Sequence, residues 1–112
     1  MEQGNFIHHV FFWLKNPENM DDRSMFEKSL NSFIDQSVYI KTKHIGVPAK
    51  TDRAVIDNSY TYSLLVTFKD KKDHDNYQEE PNHKQFVKEC SDLWKKVLVY
   101  DSVNELGEET TQ

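Results

Sequence analysis

Phe6-Ile7-His8-His9-Val10-Phe11-Phe12-Trp13-Leu14 decides the fold. The stretch is short, aromatic and β-branched, and Lys15-Asn16-Pro17 ends it, so it predicts a strand. Side chains alternate between the faces of a strand. Ile7, His9, Phe11 and Trp13 therefore share one face, and Phe6, His8, Val10, Phe12 and Leu14 the other. Both faces are largely apolar, so both need cover. Helices can supply one cover and a partner subunit the other.

Working outward, Met25, Phe26, Leu30, Phe33 and Ile34 recur at helical spacing between about Met20 and Gln36. Asp21 or Asp22 is placed to cap this helix. A strand is expected between Ser37 and Lys50, ended by Pro48, then a loop over Asp52 to Asn58. Tyr60 to Phe68 alternates as a strand, with Tyr60, Tyr62, Leu64, Val66 and Phe68 on one face. A second helical region runs from Asp70 to about Lys96 and is broken at Pro81. Its second piece carries Phe86, Val87, Cys90, Leu93 and Trp94. Val97 to Asp101 reads as a closing strand. The order β-α-β-β-α-β is the ferredoxin-like α+β unit: an antiparallel sheet with helices on one face. Its open face calls for a homodimer.

The 112 residues suit one domain, taken as residues 1–104, and Glu105 to Gln112 is expected to be an acidic, disordered tail. The net charge is −5, and −2 once the three tail acids are set aside. That argues against nucleic acid and anionic membrane as partners. No apolar run is long enough to span a bilayer, and no leader pattern opens the chain. The single cysteine, Cys90, fits a reducing cytoplasm.

Five histidines carry the chemical interest: His8, His9, His44, His74 and His83. His8 and His9 point to opposite faces, so they cannot share a metal. There is no His-x-His or Cys-x-x-Cys, and a metal site would have to be assembled from distant segments. No metal and no cofactor are expected. His9 lies with Phe11 and Trp13, and would approach Tyr62 if that residue faced the same layer. His83 opens the helix after Pro81, six residues beyond Tyr77. If the chain turn brings them together, imidazole and phenol make an acid/base pair. The plain alternatives are a hydrogen-bonded core histidine and a solvated helix-start histidine. Phe26, Phe33, Phe86, Leu93 and Trp94 are most simply core, and they are also what would line an apolar pocket between helices and sheet.

Ile7 to Lys15, the Tyr60–Phe68 strand, Tyr77, Pro81-Asn82-His83, Leu93-Trp94 and Val97 to Asp101 together resemble the stress-responsive A/B barrel domain family. The resemblance implies a dimeric α/β barrel built from two ferredoxin-like subunits whose sheets pack face to face. In the family's olivetolic acid cyclase-like branch, which works without metal or organic cofactor, a histidine and a tyrosine by the second helix act as base and partner. A first-strand histidine lines that pocket. By motif match these positions are His83, Tyr77 and His9. Phe11, Phe26, Leu30, Tyr62, Phe86, Trp94 and Val99 are the expected ligand-binding residues, although Tyr62 stands where the branch has another histidine and Leu30 where it has a tyrosine. Val87 stands where the branch has a smaller lining residue and would narrow the pocket. Four functions follow: a homodimer binding a small apolar or carbonyl-containing molecule, a cofactor-independent cyclase- or lyase-type enzyme, a monooxygenase-like or haem-handling protein, and a module serving assembly alone.

Overall fold

A computed structural model describes residues 4–105. The elements are β1 (Phe6–Leu14), α1 (Met20–Gln36), β2 (Thr42–Gly46), β3 (Tyr62–Phe68), α2 (Lys71–Glu79), α3 (Pro81–Cys90) and β4 (Trp94–Val103). The four strands form one antiparallel sheet in the order β2-β3-β1-β4. This is the expected ferredoxin-like arrangement, with the second helical region divided at Pro81. The tail expected from Glu105 to Gln112 lies outside the described residues, apart from Glu105.

The helices cover one face of the sheet. Burial along β1 alternates without a break: Phe6, His8, Val10, Phe12 and Leu14 are buried, and the residues between them half-buried. Phe26, Leu30, Phe33 and Ile34 of α1 and Phe86 and Cys90 of α3 complete this core with Tyr62, Leu64, Val66 and Phe68 of β3. The cap of α1 is Asn19, whose side chain accepts from the Asp22 N–H at 3.0 Å. Asn19 is the last residue before the periodic stretch, so it caps and the two aspartates fall in the first turn.

The break at Pro81 is fixed from both sides. Proline takes the first position of α3, where its missing N–H leaves nothing unsatisfied. Glu80 just before it accepts from the Ser37 hydroxyl at 2.7 Å and the Val38 N–H at 3.2 Å. Asn82 donates to the Phe33 carbonyl at 3.2 Å. The end of α1 thereby clamps the turn that presents His83.

Besides the α1 cap, three expectations change. The second strand is shorter than Ser37 to Lys50. Trp94 is not helical: α3 ends at Cys90, the Leu93 N–H returns to the Cys90 carbonyl at 2.8 Å, and Trp94 opens β4 opposite Leu14. Tyr60 does not continue the Tyr62 face. It precedes β3 and packs on Phe11 at 4.9 Å, on the open side of the sheet.

Candidate active site

The register of β1 builds the site. His8 pairs with Val66 on one side and Asp101 on the other, and its side chain points under the helices. The Asp101 carboxylate lies 2.6 Å from His8 Nδ1. A carboxylate only accepts, which puts the proton on Nδ1 and leaves Nε2 with its lone pair. Burial pushes His8 below the ordinary imidazole range, Asp101 opposes this, and His74 and His9 add to it.

Two further groups meet His8 from α2 and α3. Tyr77 is 1% exposed. Its ring lies edge-on to His8 at 5.8 Å and to His83 at 5.4 Å, and stacks on Phe33 at 5.4 Å. Burial, with Glu80 and Asp101 nearby, raises the phenol well above its usual range, so it stays a donor. His83 is half-buried and stands edge-on to Phe33 at 5.2 Å. Burial and the nearby His8 lower its pKa, while Glu79 and Glu80 oppose the shift. Two neutral imidazoles and one phenol thus converge, with the Asp101 carboxylate behind His8.

They form one end of a cavity of about 210 Å³. Val10, Phe12, Leu64, Trp94, Val97 and Val99 form its sheet side, and Phe33, Phe86 and Val87 its helix side. Gln78 adds a further polar side chain to the lining. Val87, Val97 and Val99, each more than a third exposed, mark where it meets solvent. A wider surface groove of about 420 Å³, between Trp13, Arg23 and Tyr60, contains no histidine or cysteine.

The cavity brings together Tyr77, His83, Phe86, Trp94 and Val99 among the expected site residues. It does not include the other five. His9 and Phe11 lie on the opposite, open face, their rings 4.3 Å apart, because odd positions of β1 point away from the helices. His9 is therefore displaced as the first-strand pocket histidine by its neighbour His8. Phe26 and Leu30 are core beneath α1, both 0% exposed. Tyr62 lies under α1 rather than beside His9. It stacks on Phe26 at 4.7 Å and donates its hydroxyl to Glu27, with the Arg23 guanidinium 4.9 Å from its ring. Val87 does stand at the mouth. His8, Asp101 and Gln78 were missed. Alternation along β1 put His8 with Phe6, Val10, Phe12 and Leu14 but did not say that the helices cover that face, and no local signal marked Asp101, 93 residues away.

A ferredoxin-like sheet with a histidine-lined cavity under its helices defines the class. The model of the stress responsive A/B barrel domain matches residues 6–104, and the chain belongs to that family. Solved structures share the fold at low identity. A ferredoxin-like protein of this family from Mesorhizobium loti is 23% identical over 94% of this chain and 100% of its own, with a TM-score of 0.75. The hydroxynitrile lyase of Passiflora edulis is 20% identical over 96% and 100%, with a TM-score of 0.74. A dimeric ferredoxin-like protein of unknown function from Thermobifida fusca is 14% identical over 93% and 95%, with a TM-score of 0.71. None of the curated proteins matches the chain.

Proposed function

We propose that this protein binds a small, mainly apolar carbonyl compound in the cavity beneath α3. The observation that carries the reading is the division of the cavity: nine apolar side chains around the space and His8, Tyr77, Gln78 and His83 together. At about 210 Å³ it is smaller than a drug-sized site, which starts near 300 Å³. The apolar walls favour an uncharged ligand, and the His83 imidazole and the Tyr77 phenol can donate hydrogen bonds to one oxygen.

The His8–Asp101 pair favours an enzyme that moves protons without a cofactor. Asp101 orients the imidazole and stabilises the charge it gains when Nε2 takes a proton. Nε2 would remove a proton next to the ligand's carbonyl, or from its hydroxyl. Tyr77, held protonated, would donate to the oxyanion that develops, and His83 would hold the same oxygen. A fold neighbour named a hydroxynitrile lyase is in keeping with an enzyme on this scaffold. The test is α-hydrogen exchange of small alkyl and aryl ketones in D2O, followed by NMR. The intact protein should accelerate exchange, and His8→Ala should abolish this while His9→Ala retains it. Equal rates in both variants would refute the role of His8.

A second copy of the chain would cover the open sheet face, where Ile7, His9, Phe11 and Trp13 are half-buried and Tyr100 is 61% exposed. Neighbours described as dimeric support this. Light scattering at micromolar concentration should give twice the chain mass of 13.3 kDa. A monomer mass would overturn it.

A further inference from the structure

We propose that His8, His74 and Asp101 form a binding site for a divalent transition-metal cation of the zinc class. The three residues come from β1, α2 and β4, and one ligand atom from each lies within 4.8 Å of the other two. His74 is not among the residues lining the cavity; the cluster shares His8 and Asp101 with the proton chemistry proposed above and adds His74 from outside the cavity.

The second observation is His74 Nε2. It is buried and has no hydrogen-bond partner among the described residues. Buried polar nitrogens are rarely left this way. The other ring nitrogen, Nδ1, is 3.1 Å from the Asp75 carboxylate, which is itself held by Lys71 at 2.7 Å. A carboxylate on the far nitrogen is how metal-binding histidines are usually oriented. The ring is fixed in place as well, stacked on Phe6 at 4.6 Å and lying 4.8 Å from the His8 ring.

The donor set selects the ion. Two imidazoles and one carboxylate suit zinc, cobalt, nickel or copper, whereas magnesium and calcium prefer oxygen ligands. Zinc bonds of about 2.0–2.2 Å place tetrahedral ligand atoms roughly 3.3 Å apart. The His8–Asp101 distance of 2.6 Å would open slightly, and His74 would close on both. The Asp101 side chain is 40% exposed, which leaves a route for the ion and a water in the fourth position.

Coordination at His8 Nδ1 moves its proton to Nε2. The nitrogen assigned above as the base then becomes a donor, so metal loading and proton abstraction by His8 exclude each other. The metal site does not depend on the proton chemistry being correct.

Cobalt(II) titrated into the purified full chain is the direct test, read by the visible absorption of tetrahedral cobalt. One equivalent per chain should produce the bands, and zinc should displace them. His74→Ala and Asp101→Ala should each weaken cobalt binding at least tenfold, with His9→Ala and His44→Ala unchanged. Far-UV circular dichroism separates misfolding from loss of a ligand, and His74→Gln replaces His74→Ala if the latter fails to fold. Absence of the bands at millimolar cobalt overturns the proposal. So does binding that survives in a folded His74 variant, or that is lost in His9→Ala or His44→Ala. Failure of ketone exchange in a chain that still binds cobalt counts against the proton chemistry alone.

Discussion

Phe86→Ala tests the packing that shapes the cavity. Phe86 is 4% exposed and stacks on Phe33 at 5.1 Å, and it meets Trp94 at 5.7 Å, Phe26 at 5.9 Å and Phe12 at 6.1 Å. Truncating a buried phenylalanine costs about 3–5 kcal/mol, set by how far its surroundings can collapse. Here the neighbours are four rings held by one helix and two strands, so collapse is limited and about 4 kcal/mol is expected. A domain of this size holds roughly 5–15 kcal/mol in total, so the variant should still fold. At about 4 °C per kcal/mol the loss corresponds to a Tm lowered by roughly 16 °C. Urea unfolding followed by tryptophan fluorescence measures it, with Phe86→Leu as a control expected to lose less than half as much. The enlarged cavity should also admit longer ketones than the natural protein takes. A loss below about 1.5 kcal/mol would refute the reasoning, because it would mean that the aromatic cluster repacks freely and does not define the space.

Other consequences follow from the same geometry. Asp101→Asn keeps a hydrogen-bond acceptor for His8 but removes the charge; ketone exchange should fall at least tenfold and stability by no more than about 1 kcal/mol, since Asp101 is partly exposed. An unchanged rate would remove Asp101 from the mechanism. Val97→Phe at the mouth should block ligand binding, seen as loss of ligand-induced stabilisation with the fold intact, and undiminished binding would place the ligand elsewhere. His8, His9 and His83 are all held by burial below the ordinary value of 6.5. The unfolded chain therefore takes up protons first as the pH falls, so stability is fully present above 6.5 and declines through the window below it. Denaturation midpoints that are flat or rising between pH 7 and pH 5 would contradict this.

Much of the fold was legible because local signals agreed with it. β1 and α1 are bounded by polar residues and proline, and their periodicities are unmixed. Pro81 announced the division of the second helix. The end of that helix was not legible, because Leu93 and Trp94 fit its apolar stripe and only pairing with Leu14 and Lys15 draws them into the sheet. The site was half legible. Tyr77, His83 and Phe86 fall in the two helices that line the cavity, and Trp94 opens the strand just after them, so sequence proximity found them. His8 and His9 were harder to separate, since a strand apolar on both faces does not reveal which face the helices take. A one-residue slip exchanges every side chain between faces. Asp101 needed the β1–β4 pairing, a long-range contact that leaves no trace in local sequence.

Histidine-selective nitrogen NMR of the full chain, titrated with a small aryl ketone, tests the central claim most directly. The account predicts that His8 is neutral with its proton on Nδ1, and that the His8 and His83 signals shift together and saturate. His9 and His44, on the other side of the sheet, should stay in place. Saturable shifts of His9 with none at His8, or a His8 proton on Nε2 in the metal-free protein, would contradict it.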